Sequence, residues 1–421
     1  MSEARSLKPE ACMPLLGLYI HIPFCPSICS YCTFNRGLFD ARLKDRYLRA
    51  LADEIRVVAD QVNAGRHPAT DRPLSKGGRR TTTPGPVAAD TIYVGGGTPS
   101  LLRAEEIADL IDACRSAFDI ARDAEVTLEA NPETVTVEQM SACRAAGVNR
   151  VSLGVQSFRD EELRRLGRVH DAACARDALD AVQSAGIDNV SLDLMLWLPQ
   201  QTVEDCLFSV RTLAGLRPAH ASLYLLELYP NTPLKEEMAR SAWSLAPDED
   251  AAEMYLRAVD ILADAGYEHY EISNFARPGF ASRHNLKYWS DGEWLAFGCG
   301  AHSTMDGVRW KNVLATEAYV RGLEGGGRPV VAERRELSPA ERFQEAVFMG
   351  LRLVAGIDLE DIQRRYGVDL WQRYGERLAP FVEAGLLVWE PPGGALRLSP
   401  RGLLLSNEVM TVFMDEASTV K

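Results

Sequence analysis

Short apolar runs alternate with longer amphipathic stretches along the first 265 residues of the chain. The apolar runs are rich in aliphatic residues, which is typical of strands buried on both faces. They lie at 17–22, 91–100, 124–132, 150–158, 189–199 and 220–230. Helical periodicity follows each of them, at about 40–62, 103–118, 137–146, 160–185, 203–215 and 248–265. Six such strand-and-helix units predict an α/β fold with a parallel sheet covered by helices.

Two segments interrupt this alternation. Residues 63–89 are rich in Gly, Pro and Thr and have no apolar periodicity, which predicts a flexible insert. A second break at 321–337 is predicted to be a linker between an N-terminal domain, 1–320, and a C-terminal domain, 338–421. A capping box from Ser338 to Glu341, with Pro339 at the first helical position, indicates a helix start there.

The C-terminal domain is predicted to be small and winged-helix-like. Helices are expected at about 339–354, 359–366 and 370–384, followed by the strands LLVWE and ALRLS and a last helix near Pro400. Winged-helix modules often bind DNA, but this one mixes acidic and basic residues throughout. We therefore expect a lid or interaction role and no nucleic-acid partner.

Composition agrees with a globular protein of one large and one small domain. The 421 residues are 46% hydrophobic and 25% charged, and the net charge of −13 disfavours a general nucleic-acid-binding surface. No apolar run approaches 18 residues, and the first residues, MSEARSLKPEACMP, lack a signal-peptide pattern. Nine cysteines without a disulfide framework suit a reducing compartment, so we expect a cytoplasmic protein.

Three cysteines directly after the first strand indicate a metal centre. Cys25, Cys29 and Cys32 lie on one loop at 25–32, whereas the other six cysteines are scattered singly. A structural zinc site would need a fourth ligand, and no second Cys or His pair at suitable spacing occurs downstream. Three thiolates on a four-iron cluster would leave one iron open to a small-molecule ligand, so an iron–sulfur cluster is the favoured prediction.

Polar and glycine residues recur where the predicted strands end. Gly95, Gly96 and Gly97 follow the second strand, Glu129 and Gln156 end the third and fourth, and Asp193 lies on the fifth. A polar group in an apolar strand is costly without a partner, although each one alone could be a satisfied structural contact. Their repetition at strand ends predicts a ligand-lined mouth of an incomplete (β/α)6 barrel.

The CxxxCxxC spacing, with Tyr31 before the last cysteine, resembles the radical S-adenosylmethionine (SAM) superfamily. The resemblance implies a 4Fe-4S cluster whose open iron binds the amino and carboxylate groups of SAM, held at the mouth of a (β/α)6 radical SAM barrel. One electron from such a cluster cleaves SAM into methionine and a 5'-deoxyadenosyl radical. The protein's own share is to bind, orient and shield the cofactor.

A closer resemblance is to the family of oxygen-independent coproporphyrinogen III oxidase, and it covers nearly the whole chain. The blocks LYIHIPFC, GGGTPS, GVQSF, RLGRVH and DLMLWLPQQT occur here in that family's order. The resemblance implies that Tyr19, Gly96 and Glu129 help to hold SAM on the cluster. Positions that contact a second SAM molecule in the oxidase correspond here to Tyr31, Gly97, Thr98, Gln156, Arg168 and Asp193. Whether one or two SAM molecules bind stays open.

Two features favour the haem-chaperone branch of this family, the HemW type, over the oxidase. The oxidase has a further cysteine two residues after the last ligand, where this chain has Phe34. It also has a long N-terminal arm, whereas only 18 residues precede Tyr19 here. Thr33 departs from the aspartate usual in the chaperone branch, but position 33 is not a cluster ligand.

The segment HNLKYW, 284–289, resembles the HNxxYW haem motif of the chaperone branch. A histidine and a tyrosine four residues later share one helix face, and either can ligate haem iron while Trp289 supplies a flat apolar contact. His284 is the first expected axial ligand and Tyr288 the second. Further candidates are His21, His170 and His302.

The preferred hypothesis is a haem chaperone that binds a 4Fe-4S cluster, SAM and haem and delivers haem to apo-haemoproteins. The alternative is a radical SAM enzyme, either a coproporphyrinogen III oxidase or a HemN-like methyltransferase, and no catalytic residue is assigned. A DNA-binding regulator is the least favoured hypothesis. The preferred one implies an electron donor such as a flavodoxin or ferredoxin and leaves a homodimer open.

Overall fold

A computed structural model of the chain describes residues 15–75, 85–230, 232–324, 330–390 and 394–414. Its largest sheet has twelve strands in these residues. They are β1 Leu16–Ile22, β2 Ala88–Gly96, β3 Asp119–Ala130, β4 Arg150–Gln156, β5 Asn189–Leu196, β6 His220–Leu225, β7 Glu268–Glu271, β8 Asn274–Ala276, β9 Trp294–Phe297, β10 His302–Met305, β11 Val308–Asn312 and β12 Val331–Glu336.

The strand order shows that the sheet is an open, mostly parallel one. Its order is β12-β11-β10-β9-β1-β2-β3-β4-β5-β6-β8-β7, and β9 with β1 to β6 forms the parallel part. The edge strands β12 and β7 do not pair with each other among the described residues. The six predicted parallel strands and the incomplete barrel are therefore confirmed, and four unpredicted strands, β9 to β12, extend the sheet beyond β1.

Fifteen α-helices occur in the described residues. They are α1 Ala41–Asn63, α2 Ala104–Ala117, α3 Val137–Ala146, α4 Asp160–Arg165, α5 Ala172–Ser184, α6 Val203–Leu216, α7 Pro233–Ser241, α8 Asp248–Asp264, α9 Arg283–Trp289, α10 Thr316–Glu324, α11 Pro339–Gly350, α12 Leu359–Tyr366, α13 Leu370–Glu383, α14 Pro400–Leu404 and α15 Ser406–Thr411. None of the described helices is long and apolar enough to cross a lipid bilayer.

The single helix expected at 160–185 is two helices, α4 and α5. Gly167 takes a φ of 70°, a left-handed conformation that ends a helix. Asp171 then caps α5 by accepting a hydrogen bond from the Cys174 amide at 2.8 Å. The break directs Arg168 toward the barrel mouth, because its guanidinium reaches Cys29 Sγ at 3.4 Å.

The described part of the 63–89 insert is packed against the sheet, contrary to the expected flexible loop. His67 is fully buried, and its Nε2 lies 3.2 Å from the carbonyl oxygen of Met305 on β10. An isolated bridge between Arg66 and Pro73 closes this segment into a turn. Apolar periodicity could not reveal this, because a polar residue makes the contact. Residues 76–84 lie outside the described part of the chain.

The interval 321–337 is regular structure wherever it is described, rather than a linker. Its first residues complete α10, and β12 pairs antiparallel with β11 from Val331 to Glu336. Every residue of β12 after Val331 is exposed. Its sequence therefore lacks the alternation of apolar and polar residues that predicts a strand. The N-terminal sheet therefore continues up to the start of the C-terminal domain.

The C-terminal domain has its own core and bridges the open side of the large sheet. Three short strands, Ile357–Asp358, Leu387–Trp389 and Ala395–Leu398, form a separate antiparallel sheet beside α11 to α15. Arg352 accepts a backbone hydrogen bond from Ile272 beside β7, at 2.9 Å, while Glu345 pairs with Arg309 on β11 at 3.0 Å. The domain thus makes contacts near both ends of the open sheet.

Candidate functional site

The three cysteines lie at the carboxyl end of β1, where the parallel strands open into a mouth. A two-residue bridge, Phe24–Cys25 with Gly37–Leu38, closes the loop that carries Cys29 and Cys32. The Cys32 amide donates to the carbonyl oxygen of Cys29 at 3.3 Å. Local backbone pairing therefore holds the expected cluster loop 25–32 in a defined shape.

Asn35 anchors this loop to a distant part of the chain. Its side-chain amide donates to the carbonyl oxygens of Cys299 at 2.9 Å and Leu314 at 3.1 Å. Its own carbonyl oxygen accepts from Nε2 of His21 at 2.8 Å. The loop is thereby tied both to β1 and to the turn after β9, which explains how the sequence FGCGAHS, 297–303, belongs to the site.

The thiol donor set fits a 4Fe-4S cluster. Cys25 is buried and Cys29 and Cys32 are half-buried, as expected of groups that ligate from inside a mouth. Burial raises the pKa of Cys25 and of Cys32, and the neighbouring Cys29 thiol raises both further. Among the described residues no three His, Cys, Asp or Glu side chains converge on one metal ion. A cluster does not require that convergence, since each thiolate takes a different iron.

The glycine turn after β2 packs directly on the cysteine loop. A Cβ at Gly97 would lie 2.7 Å from the Phe24 carbonyl oxygen and 3.0 Å from Cys25 Sγ. Gly96 has a φ of 119°, and a Cβ there would lie 2.6 Å from the His21 ring. Both positions therefore need glycine for space, and Gly96 also needs it for its backbone conformation.

Gly97→Ala is expected to displace the cysteine loop and to weaken SAM binding by at least about tenfold, because the added methyl overlaps backbone. The domain itself should stay folded, since the loop is local to one strand end. Isothermal titration of SAM into the reconstituted protein measures the effect. Gly85→Ala is the control, because a Cβ at Gly85 meets nothing within 4 Å. Unchanged SAM affinity in Gly97→Ala would contradict the close packing assigned to this turn.

Glu129 joins the glycine turn to the third strand. Its carboxylate accepts from the Gly96 amide at 2.9 Å and from the Tyr93 hydroxyl at 2.8 Å. Burial raises the pKa of Glu129 to about 7, and Tyr19 is among its electrostatic neighbours. A carboxyl group with a pKa near 7 can pair with a cationic ligand at the mouth, because a nearby positive charge favours the ionised form of the carboxyl group.

Arg168 contacts Cys29 directly and joins the cysteine loop to residues at the ends of three neighbouring strands. Its guanidinium donates to Asn131 Oδ1 at 2.8 Å and to the Gly154 carbonyl oxygen at 2.9 Å. Asn131 in turn donates to Thr98 Oγ1 at 3.1 Å. Nε of Arg168 is buried without a hydrogen-bond partner in the described residues, which fits an acceptor from a bound anionic group. The sequence did not single out Asn131, although its place directly after β3 was a usable signal.

The remaining predicted mouth residues surround this network. Tyr31 lies beside Arg168, and burial raises its pKa. Gln156 takes a φ of 68°, and its amide lies near Gly154. Asp193 accepts from Ser152 and Ser191, each at 2.9 Å, and burial raises its pKa. The structure therefore brings the expected cysteine, SAM-contact and glycine positions together at one end of the barrel.

Arg150 is a buried charge that the sequence analysis missed. It is 1% exposed on β4, and its Nε and Nη1 have no hydrogen-bond partner in the described residues. Asp193 and Glu125 are its acidic electrostatic neighbours. Nothing in the sequence distinguished it from a surface arginine, because its burial depends on the inward register of β4.

The predicted haem ligand His284 lies against β1 and β2, with its ring centroid 5.1 Å from that of Tyr93 and 6.5 Å from that of Tyr19. It is 1% exposed on α9, which leads into the amino end of β9. Its Nδ1 is hydrogen-bonded to Thr91 Oγ1 at 2.8 Å and its Nε2 to the Tyr288 hydroxyl at 2.9 Å. Burial lowers the pKa of His284 to about 3. In this arrangement neither ring nitrogen is free for iron, and Tyr288 is engaged as well.

Trp289 and two of the three further haem-ligand candidates also have side-chain contacts. The Arg352 guanidinium lies over the Trp289 ring, 5.4 Å from the ring centroid. His21 is hydrogen-bonded to Tyr19 at 3.1 Å as well as to Asn35. His170 is bonded to Glu133 at 3.2 Å and to the Val155 carbonyl oxygen at 3.0 Å. His302, in contrast, is exposed.

The arrangement at the mouth can hold a cluster and a charged small molecule side by side. Three thiols supply soft ligands, Arg168 supplies a cation, and Glu129 supplies a carboxylate whose charge responds to its neighbours. When bound, a cluster and SAM would supply one-electron chemistry. The chain's own residues would position both, and the fold keeps the three thiols partly shielded from water.

Comparison with known proteins agrees with this architecture. A Radical SAM superfamily model matches residues 79–213, and a HemN C-terminal domain model matches residues 337–405. The solved structure of coproporphyrinogen III oxidase (HemN) from Escherichia coli superposes with a TM-score of 0.79. It covers 95% of this chain and 90% of that chain at 22% identity, which supports the fold alone.

Curated relatives match over nearly their full length. The "Heme chaperone HemW" of Bacillus subtilis is 35% identical over 399 residues, covering 94% of this chain and 99% of that protein. The protein of the same name from Mycobacterium tuberculosis H37Rv is 35% identical over 416 residues, 98% of each chain. With this identity across both domains, the chain belongs to the HemW family within the radical SAM superfamily.

Proposed function

We propose that this protein is a haem chaperone that holds a 4Fe-4S cluster on Cys25, Cys29 and Cys32, binds SAM beside it, and carries haem to apo-haemoproteins. The observation that carries the proposal is the full-length match to several curated proteins named as heme chaperones. The thiol donor set and the Arg168 and Glu129 contacts at the mouth support the cofactor part of it.

Phe34 favours the chaperone over the oxidase alternative. It occupies the position where the oxidase has a further cysteine, and its side chain is 68% exposed beside the loop. Leu38 is 65% exposed and Leu314 is 53% exposed, so apolar surface surrounds the mouth. Exposed apolar side chains at a site rim are typical of contact with a flat apolar ligand or with a protein.

The proposal includes a cytoplasmic location and a small electron donor such as a flavodoxin or ferredoxin. All eight cysteines in the described residues are free thiols, which suits a reducing compartment. An oxygen-sensitive cluster favours the same compartment.

An anaerobic haemin titration of the cluster-reconstituted protein, followed by absorption, tests the proposal. We expect saturable binding at about one haem per chain, as for a single ligand site. The same samples, incubated with SAM and reductant, should form no more 5'-deoxyadenosine when porphyrinogen or methyl acceptors are added. No saturable haem binding, together with substrate-dependent 5'-deoxyadenosine, would overturn the chaperone proposal in favour of the enzyme.

A further inference from the structure

The side-chain amide of Asn131, directly after β3, lies between two groups that contact the cysteine loop. Its Oδ1 accepts a hydrogen bond from the Arg168 guanidinium at 2.8 Å, and its Nδ2 donates to Thr98 Oγ1 at 3.1 Å. Arg168 also donates to Cys29 Sγ at 3.4 Å. The Thr98 side chain is hydrogen-bonded to Cys25. One amide therefore joins two of the three cysteines that are predicted to hold the cluster.

The direction of each hydrogen bond in this chain of contacts follows from the groups themselves. A guanidinium can only donate, so the oxygen of the Asn131 amide must face Arg168. The nitrogen of the amide then faces Thr98, and the Thr98 hydroxyl oxygen accepts from it. A hydroxyl has a single hydrogen, which is left to point at the sulfur of Cys25. Both sulfurs consequently face a donor that Asn131 orients.

The turn that carries Asn131 is fixed to its surroundings. The backbone amide of Asn131 donates to Ser100 Oγ at 3.3 Å. Two residues later, the Glu133 carboxylate lies 3.2 Å from Nδ1 of His170, whose side chain is fully buried. Because His170 follows Arg168 by two residues, the same turn holds this segment at a second point. The Asn131 amide thus has a fixed position from which it orients Arg168.

Water has little access to these contacts. Thr98 is 2% exposed and Cys25 is 8% exposed. The Thr98 amide donates to the carbonyl oxygen of Phe24 at 2.8 Å, which holds its side chain beside the cysteine. Where water is excluded, a lost donor is not replaced by solvent, and a hydrogen bond or a nearby charge acts more strongly than at the surface.

We propose that Asn131 is a positioning residue for the cluster. Through Arg168 and Thr98 it directs hydrogen bonds at two of the three ligand sulfurs, and these bonds raise the reduction potential of the cluster. The proposal rests on the proposed function, because it takes the cysteines to hold a 4Fe-4S cluster. Reduction adds one electron and therefore one negative charge. Hydrogen bonds to the sulfurs and a nearby cation stabilise the reduced form more than the oxidised form.

An anaerobic redox titration of the reconstituted Asn131→Ala protein, followed by the electron paramagnetic resonance of the reduced cluster, tests the proposal. SAM is left out, because Arg168 and Thr98 are also expected SAM contacts. At a given solution potential, we expect the ratio of reduced to oxidised cluster to be at least about tenfold lower than in wild type, or about 59 mV for one electron. Thr98→Val should shift the potential in the same direction, and Thr98→Ser, which keeps the hydroxyl, should titrate as wild type.

Two further variants separate positioning from a general loosening of the loop. The double variant Asn131→Ala/Thr98→Val should shift the potential by less than the sum of the two single shifts, because both remove the same bond to sulfur. Gln139→Ala is the matched control. The Gln139 side-chain amide also holds the loop after β2, but its acceptors are the backbone oxygens of Ser100 at 2.8 Å and Leu102 at 3.1 Å. This variant should keep the wild-type potential.

The outcomes separate this proposal from the proposed function. An unchanged potential in cluster-loaded Asn131→Ala, or an equal shift in Gln139→Ala, would overturn the positioning role and leave the proposed function intact. If Asn131→Ala takes up no cluster, the Thr98 variants decide. A lower potential in Thr98→Val than in Thr98→Ser would support the proposal, and equal potentials would overturn it. If wild type itself takes up no cluster, this proposal and the cofactor part of the proposed function both fail.

Discussion

Replacing Cys25, Cys29 or Cys32 by alanine is expected to remove nearly all iron from the reconstituted protein, from about four atoms per chain to near zero. Each thiolate would hold a separate iron, and the fourth iron has no cysteine ligand. Loss of one cysteine would leave two of the four irons without a protein ligand, and we expect the cluster to be lost. The helices should persist, because the loop is closed by a local bridge and lies outside the main core. Iron analysis and circular dichroism on the same samples measure both effects.

Cys174→Ala is the matched control for these variants. Cys174 is also half-buried, but it lies on α5 away from the loop. It should keep the full iron content and the same circular dichroism. Iron retained in any of the three loop variants would show that the ligand assignment is wrong, and iron lost from Cys174→Ala would show that the loss is non-specific.

Glu54→Ala is expected to lower the free energy of unfolding by about 3 to 5 kcal/mol, because it leaves several buried donors without an acceptor. Glu54 on α1 is 1% exposed. Its carboxylate accepts from the Gly298 amide at 2.8 Å, Asn312 Nδ2 at 2.6 Å and the Tyr319 hydroxyl at 2.6 Å. These partners lie on the turn after β9, on β11 and on α10, so one side chain joins the helix layer to the sheet extension. Urea denaturation measures the loss.

Glu54→Gln is the control, since it keeps the volume and one carbonyl acceptor. Burial raises the pKa of Glu54 to about 7 from its usual 4.5. Between these two pH values the folded state keeps a proton that the unfolded state releases, so the wild-type stability falls as pH rises. Glu54→Gln should therefore show a flatter decline between pH 5 and 8. A loss below about 1 kcal/mol in Glu54→Ala would contradict the structural role.

The sequence could predict the six parallel strands because strands covered on both faces are nearly wholly apolar. It could not predict β10 to β12, which are four to six residues long and rich in polar side chains, nor β9, which has only four residues. β12, VAERRE, has the composition of a loop and becomes a strand only through pairing with β11. The helix break at Gly167 likewise follows from backbone conformation that periodicity does not encode.

At the site, the spacing of residues in the sequence was sufficient to predict some functional residues but not others. The cysteine loop and the glycine turn are contiguous in sequence, so their chemistry was predictable from residue type. The helix at 283–289 was also predictable, but not the direction of its His284 face, because that depends on α9 packing into the barrel.

The most direct test of the haem-chaperone proposal is the rate at which haem-loaded, cluster-containing protein gives haem to an apo-cytochrome, with apomyoglobin as a passive scavenger. We predict that the rate rises with the concentration of the apo-cytochrome and exceeds the rate of loss to apomyoglobin, because direct transfer requires an encounter between the two proteins. A rate independent of acceptor concentration and equal to the loss to apomyoglobin would show only passive release and would contradict a chaperone function.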